Sequence, residues 1–181
     1  SMGTGNDAVP GYPLSRIWLT GKELKSILEI LQVAYKSTPA NYCYYSGIKV
    51  NYDPDKMMLR KIKSIDLVRS GGDVIKMDFS KKNKSLYSVT ANSYMLEFVS
   101  IIKKMSFGLI NVVPKDKNGI PLKDMKQAVL DIDENEEGLQ EGKEWLALIE
   151  YLSSMEDTNS NNIPDISNKY KEAVQTFIPV R

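Results

Sequence analysis

The sequence predicts an α+β fold in which a mainly antiparallel sheet packs against helices. Strand-like patterns dominate the first half of the chain, and helical patterns dominate the second half. Polar turn signals separate the strand-like runs, as in sheets whose neighbouring strands are joined by short hairpins. Strands followed by helices indicate an α+β architecture. The 181 residues are enough for one sizeable core.

The first predicted elements are a short apolar strand over residues 16–19 and the helix that follows it. Thr20 lies three residues before Glu23, the capping-box spacing in which the two side chains satisfy free backbone amides at a helix start. One buried helical face is then predicted by apolar residues at i, i+3, i+4 and i+7: Leu24, Ile27, Leu28 and Leu31. We expect this helix to end at Thr38, because a residue before proline disfavours helical geometry.

Four strands are predicted in the next part of the chain. Ile48, Val50 and Tyr52 alternate with polar residues, as a half-buried strand requires. Further strands are predicted over 61–68, 74–79 and 86–91. Polar turns separate them at 53–55, 70–73 and 81–84.

Helical spacing follows the last of these strands. The pattern predicts a helix through Met95, Phe98, Val99 and Ile102. A second helix is predicted to begin at Pro121, which suits a first helical position, and to run through Leu122, Met125 and Val129. A third is predicted through Trp145, Leu148, Ile149 and Leu152, within an acidic segment.

Composition excludes several classes of protein. The net charge of +1 gives no global reason for binding nucleic acid or an acidic membrane. The single cysteine, Cys43, excludes an internal disulfide, and no apolar run is long enough to span a membrane. The sequence contains no histidine, the usual zinc ligand and the usual acid or base near neutral pH. We therefore expect this chain to carry out no metallohydrolase reaction by itself.

The domain organisation is predicted to be simple. Residues 1–9 are expected to be an expression remnant and a linker to a preceding part of a longer protein. Residues 10–181 are expected to form a single domain, without internal repeats or low-complexity tracts.

Three pieces of sequence over residues 10–113 resemble a known family. They are the strand–Leu-Thr-Gly–helix of 17–31, the aromatic-to-Ser-Gly strand of 42–53, and the Tyr-Ser-Val-Thr-Ala-Asn-Ser-Tyr run of 87–94. Together, in this order, they resemble the C-terminal domain of the 5′-nucleotidase and 2′,3′-cyclic-nucleotide phosphodiesterase family. The resemblance implies a domain that binds the base of a nucleotide or nucleoside.

The same resemblance implies a division of labour within a longer protein. A separate N-terminal metallophosphatase domain would hold a pair of divalent metal ions and hydrolyse phosphoric ester bonds, and it would be this domain's main partner. The chain in hand would need no cofactor of its own for that reaction. Relatives of this kind are extracellular, periplasmic or attached to the cell surface.

Two aromatic residues are the candidate substrate-binding side chains. The resemblance places the first base-stacking ring at Tyr42, four residues before Ser46-Gly47. From the residues alone, Tyr42 is equally explained as packing beside neighbouring tyrosines. The family's second ring lies in a glycine-rich loop that this chain lacks, and Phe107 is the best positional substitute. Phe98 fits the core side of its helix instead.

Two further features leave alternatives open. Residues 71–73 read Gly-Gly-Asp, but no aromatic residue follows, so we interpret them as a hairpin turn. Because the glycine-rich loop is missing, a non-catalytic binding or structural module with a decayed nucleotide pocket is the alternative function.

A candidate calcium loop lies near the C-terminus. Its oxygen ligands occupy positions 1, 3, 5 and 9: Asp157, Asn159, Asn161 and Asp165. Position 6 is Asn162 rather than glycine, and position 12 is Asn168 rather than glutamate. The alternative interpretation is a polar loop built from Asx turns.

Overall fold

The computed structural model describes residues 3–37, 43–106, 108, 110–171 and 174–180. Within these ranges it contains strands β1 (Leu14–Thr20), β2 (Ile48–Tyr52), β3 (Ile62–Val68), β4 (Val74–Lys76), β5 (Leu86–Asn92) and β6 (Phe177–Pro179). The α-helices are α1 (Gly21–Ser37), α2 (Ser93–Met105) and α3 (Glu144–Ser153). Short 3₁₀ turns cover Met125–Ala128 and Asn168–Tyr170.

The chain divides into two compact units, each assembled from separate segments. The first unit consists of Ser1–Ile17, Val89–Glu97 and Leu122–Val174. The second consists of Trp18–Ser88, Phe98–Pro121 and Gln175–Arg181. The single domain over residues 10–181 stays a prediction.

The second unit contains a four-stranded sheet in the order β4-β3-β2-β6. β2 and β3 run antiparallel, with Val50 opposite Ile65, and β3 and β4 are also antiparallel. β6 is parallel to β2, with Phe177 opposite Val50. The predicted α+β fold with a mainly antiparallel sheet is confirmed, and β6 is a further strand that the sequence pattern does not predict.

The core of the second unit lies where α1 contacts the sheet at β3. The predicted face of α1 is buried at Leu24, Ile27 and Leu28, together with Ile30. Leu31 is only half-buried. From the sheet, the buried side chains are Val50, Ile62, Ile65 and Phe177. The helix and the sheet thus provide the apolar surface whose removal from water stabilises this unit.

β1 and β5 form a separate two-stranded sheet, and each strand contributes residues to both units. β1 buries Ser15, Ile17 and Leu19 and leaves the intervening residues more exposed. This period of two is the alternation expected of a strand with one buried face.

The helix predicted to begin at Pro121 is wrong. Only the 3₁₀ turn Met125–Ala128 forms, and Asp124 caps it in a capping box with Gln127. Val129 has extended backbone dihedrals and pairs with Ser15 of β1. This pairing takes the chain out of helical geometry directly after one turn.

The helix predicted around Trp145 is confirmed as α3, but its apolar side chains are not enclosed. Trp145, Leu148 and Ile149 are 42%, 56% and 52% exposed. Among the described residues, no helix combines the length and apolarity needed to cross a membrane.

Candidate functional site

Tyr42 and Phe107, the predicted substrate-binding residues, lie outside the described residues. The segment that follows Tyr42 is described. Tyr44 is 93% exposed, whereas the ring of Tyr45 lies edge-on to Phe177 with centroids 5.3 Å apart. Of the two described tyrosines before Ser46-Gly47, one therefore packs against β6 and the other faces solvent.

The Leu-Thr-Gly–helix piece forms the predicted capping box at the start of α1. The Thr20 amide and hydroxyl each donate to Glu23 Oε2 at 2.8 Å, and the Glu23 amide donates to Thr20 Oγ1 at 3.3 Å. Gly21 is required for a different reason. A Cβ atom on Gly21 would lie 2.5 Å from the carbonyl oxygen of Asp78, too close for any larger residue without backbone movement.

Glu23 also joins α1 to a distant part of the second unit. Its Oε1 accepts hydrogen bonds from the Val113 amide and from Lys115 Nζ, each at 3.0 Å. Burial opposes ionisation of Glu23, but hydrogen bonds from Thr20, Val113 and Lys115 outweigh it and hold the carboxyl pKa below its ordinary value. The charged carboxylate is therefore the form that organises this junction.

The Thr-Ala-Asn-Ser-Tyr piece builds the junction between β5 and α2 in the first unit. Asn92 Oδ1 accepts from the Met95 amide at 2.8 Å and so caps α2, while its Nδ2 donates to Glu144 Oε1 at 3.1 Å. The ring of Tyr94 stacks on that of Tyr12, with centroids 5.1 Å apart. The matched motif residues here hold the fold together.

Arg16 of β1 contacts the matched sequence piece of residues 87–94. Its Nε donates to Thr90 Oγ1 at 3.2 Å across the β1–β5 sheet. The contact is exposed, so Arg16 lies at the surface beside the strand.

The calcium candidate loop in the first unit folds as a series of Asx turns. Asp157 accepts from the Asn161 amide at 3.2 Å and from the Asn162 amide at 2.8 Å, one on each carboxylate oxygen. Asn159 Oδ1 also accepts from the Asn161 amide, at 3.1 Å. Ser160 and Asn162 adopt positive φ angles of 60° and 66°, which lets the chain curl around Asp157.

Asp165 closes the other end of this loop. Its Oδ2 accepts from the amide and hydroxyl of Thr158, and Asn159 Nδ2 donates to Oδ1 at 3.1 Å. The hydrogen bonds from Thr158 hold the pKa of the Asp165 carboxyl below its ordinary value. In the described part of the chain, no group of three or more acidic, cysteine or histidine side chains is placed to hold a metal ion.

A buried lysine is the centre of a network that the sequence did not indicate. Lys143 Nζ donates to Glu141 Oε2 at 2.7 Å and to Asp7 Oδ1 at 2.9 Å, and its side chain is 3% exposed. Burial opposes ionisation of Glu141, but hydrogen bonds from Lys143 and Asn6 outweigh it and hold the carboxyl pKa below its ordinary value. This network ties the N-terminal segment to the residues before α3.

Lys115, Tyr12 and Lys143 were missed because their partners are far away in sequence. Lys115 meets Glu23 across 92 positions, and Lys143 meets Asp7 across 136. A local pattern of spacing carries no signal for contacts of this kind.

Comparison with known proteins gives one family. Residues 9–98 match the family described as 5′-nucleotidase, C-terminal domain. The family is a class of α+β domain. In this chain the matched region runs from the N-terminal segment through β1 to β5 and into α2. Through residues 9–98, the chain belongs to the 5′-nucleotidase C-terminal domain family.

Two solved structures are similar over part of the chain. The 5′-nucleotidase precursor from Thermus thermophilus has 17% sequence identity and a TM-score of 0.43. The matched region covers 61% of this chain and 20% of the Thermus thermophilus chain. The NAD nucleotidase from Haemophilus influenzae has 18% sequence identity and a TM-score of 0.41. The matched region covers 56% of this chain and 18% of the Haemophilus influenzae chain. The matched region thus spans about a fifth of each structure. No curated protein sequence matches the chain.

Proposed function

We propose that this chain is the nucleotide-recognition domain of a 5′-nucleotidase-like metallophosphoesterase. The family match over residues 9–98 is the observation that carries the proposal. The capped start of α1 and the capped β5–α2 junction give two of the matched pieces a defined local structure. In the complete enzyme, this domain would hold the base and so position the phosphate for hydrolysis.

Tyr42 is proposed as the ring that stacks on the base, with Phe107 as the second ring. Any nucleobase offers a π surface to an aromatic side chain, so this recognition needs no particular base. Tyr44 provides the matched comparison, because it is two residues away and 93% exposed.

Calorimetric titration with AMP and with adenosine tests the proposal. Tyr42→Ala is expected to weaken binding by about 1–3 kcal/mol, roughly 5- to 150-fold in Kd, whereas Tyr44→Ala should leave the Kd unchanged. Phe107→Ala is expected to weaken binding in the same range if it supplies the second ring. The absence of any binding by the unmutated chain would instead favour a module whose nucleotide pocket has decayed.

The hydrolytic reaction is proposed to belong to an N-terminal metallophosphatase domain with its pair of divalent metal ions. The chain has no histidine to contribute to such a site. Added Mn²⁺ or Mg²⁺ should therefore produce no release of phosphate from AMP by this chain alone. Turnover by the purified chain would contradict this division of labour.

The complete protein is proposed to act outside the cytoplasm, as an extracellular, periplasmic or cell-surface hydrolase of nucleotides. This compartment follows from the family resemblance. Fractionation of the source cells with an antibody against this domain would test it, and recovery only in the cytoplasmic fraction would contradict it.

Calcium binding at the 157–165 loop is a second proposal, favoured by the curl of backbone around Asp157. Each Asp157 oxygen accepts one backbone hydrogen bond, and a carboxylate oxygen has a further lone pair for a cation. The side chains of Asn159, Asn161 and Asp165 add oxygen atoms of the type that Ca²⁺ prefers. Backbone and water oxygens would have to complete the coordination.

Two carboxylates predict weak affinity, in the millimolar range typical of extracellular modules, roughly 10⁻⁴–10⁻³ M. At tenfold excess over Kd, calcium should stabilise the fold by about 1.4 kcal/mol and raise Tm by a few degrees. The Asp157→Asn variant should lose this shift, while Asp133→Asn, in another exposed loop, should keep it. An unchanged Tm of the unmutated chain in millimolar calcium would exclude the site.

A further inference from the structure

The apolar stripe of α3 lies on the surface of the first unit. Four large apolar residues share one side of this helix at i, i+3, i+4 and i+7, and we call them the α3 stripe: Trp145, Leu148, Ile149 and Leu152. A stripe of this spacing normally faces a core. Three of its members are exposed, Leu152 is half-buried, and no residue of α3 is buried. Contiguous exposed apolar surface of this kind is typical of an interaction site.

Both ends of α3 are attached to the rest of the first unit. At the start, Trp145 Nε1 donates to the carbonyl oxygen of Pro10 at 3.0 Å, and the buried Lys143 directly precedes the first helical turn. At the end, the hydroxyls of Tyr151 and Tyr170 are hydrogen-bonded, and their rings lie edge-on with centroids 6.2 Å apart. The helix is therefore held with its stripe exposed, and a partner would meet a surface that needs no rearrangement.

The part of the chain that contains α3 is strongly acidic. Residues 122–174 include thirteen acidic residues and five lysines, a net charge of −8, although the whole chain carries +1. Glu144 is exposed and precedes Leu148 by one helical turn, so it borders the stripe. Lys143 is already paired with the two carboxylates of its buried network, and Lys169 Nζ lies over the two tyrosine rings at the helix end.

This negative charge distinguishes between the possible occupants of the stripe. A twofold pairing of two copies through α3 would bring two sets of carboxylates together, and like charges across an interface repel. An anionic membrane surface is disfavoured for the same reason. A partner with cations beside its own apolar residues gains both apolar packing and attraction to the carboxylates. Because the stripe is one helix wide and two turns long, another helix is the element that packs on it.

We propose that the α3 stripe is the docking surface for a basic amphipathic helix of a partner protein. Trp145 is the expected anchor, since tryptophan is enriched among the residues that provide most of the binding energy at interfaces. Leu148 and Ile149 provide the apolar contacts beside it, and Glu144 faces the cations of the partner. This interaction is separate from nucleotide recognition and does not depend on it.

Calorimetric titration of the full chain with synthetic helices tests the proposal. The probe is a peptide of lysine and leucine in which the leucines have helical spacing. One control peptide has the same residues in an order without this spacing, and another has glutamate in place of lysine. Only the probe should bind, and its Kd should rise with ionic strength. Absence of binding by the probe, or equal binding of either control, would overturn the proposal.

Leu148→Asp tests whether the probe binds at the stripe. The substitution places a charge within the stripe, and the fold should tolerate it because Leu148 is 56% exposed. We expect the Kd for the probe to rise by about tenfold or more. Val74→Asp makes the same kind of change in the second unit, at a residue that is 60% exposed, and should leave the Kd unchanged. Equal effects of the two substitutions would place the binding elsewhere.

The two tryptophans of the unmutated chain give a readout that needs no folded variant. Trp145 belongs to the first unit and Trp18 to the second. The probe should shift the nuclear magnetic resonance signal of the Trp145 indole N–H and leave that of Trp18 in place. A shift of the Trp18 signal alone would contradict the proposal.

Sedimentation of the chain without peptide tests the two other occupants. The chain should stay monomeric and should not float with phosphatidylserine vesicles. Self-association that Leu148→Asp abolishes would show that a second copy covers the stripe. Vesicle binding that the same substitution abolishes would assign the stripe to a membrane. Either result would overturn docking of a basic helix.

Discussion

Lys115 Nζ lies 3.0 Å from both carboxylate oxygens of Glu23, although the two residues are 92 positions apart in the chain. Glu23 is at the same time the N3 partner of Thr20 in the capping box of α1. A single carboxylate therefore starts a helix and holds the 113–115 segment against it. Loss of the Glu23 side chain should therefore weaken both the start of α1 and the attachment of the 113–115 segment.

Removal of the Glu23 side chain should destabilise the second unit. Glu23→Ala leaves the Thr20 and Val113 amides without their acceptor and removes the carboxylate partner of Lys115 Nζ, and we expect the free energy of unfolding to fall by about 2 kcal/mol. Urea unfolding followed by circular dichroism measures this. Lys22→Ala, at an exposed position on the same helical turn, should change it by less than about 0.5 kcal/mol. Equal effects of the two substitutions would contradict the assigned role of Glu23.

Gly21→Ala should be destabilising although alanine is the better helix former. Helix propensity alone predicts a gain of about 1 kcal/mol. The added Cβ would lie 2.5 Å from the backbone oxygen of Asp78, however, so either α1 or the segment that contains Asp78 must move. We expect a net loss in thermal stability. Gly71→Ala, where a Cβ meets no atom within 4 Å, should be neutral or slightly stabilising, and a gain at Gly21 would refute the close approach.

Asn92→Ala should weaken the start of α2. The substitution removes the oxygen that accepts from the Met95 amide, a capping loss of about 1 kcal/mol. Asn92→Asp, made together with Glu144→Gln so that two carboxylates do not face each other, keeps an acceptor at this position and changes only the exposed contact between residues 92 and 144. In thermal unfolding, the aspartate variant should therefore stay close to the unmutated chain. If it is as unstable as the alanine variant, capping is not the role of Asn92.

Stability of the first unit should decline in acid because of the Lys143 network. The pKa values of Asp7 and Glu141 are held below their ordinary values. Their contribution is complete above the pKa of the unfolded chain and is lost as pH falls through the lowered values. Unfolding free energies measured from neutral pH to about pH 3 should show this loss.

Lys143→Met is the substitution that tests the same network. It leaves the two carboxylates without their cation, and we expect a loss of about 2–3 kcal/mol at neutral pH. The acid-dependent decline should also become shallower than in the unmutated chain. Lys123→Met, an exposed lysine in the same unit, should alter neither property. An unchanged pH profile in Lys143→Met would show that the decline has another source.

The local elements were largely predictable because their signals are local. The Thr20–Glu23 spacing predicted a capping box that the structure contains, and the alternation at Ile48, Val50 and Tyr52 predicted β2. The helix predicted from Pro121 failed for a non-local reason. Pairing of Val129 with Ser15 decides the backbone there, and no pattern near residue 129 records that partner.

The candidate site was less predictable than the fold. Tyr42 and Phe107 came from a family resemblance rather than from any spacing that demands an aromatic ring, and they stay predictions. The buried Lys143 had no sequence signal, because an isolated lysine usually indicates an exposed side chain. Its two acidic partners become evident only when the chain has folded.

The parallel strand β6 has a consequence for how the protein acquires its structure during synthesis. The four-stranded sheet can be completed only after Phe177 has been translated. This residue pairs with Val50 of β2, which comes first in the chain among the strands of that sheet. Until then, the outer side of β2 presents unpaired backbone groups of the kind that template association with other chains. Long-range pairing of this type slows folding. A nascent chain stalled before residue 177 should therefore be the species most dependent on chaperones.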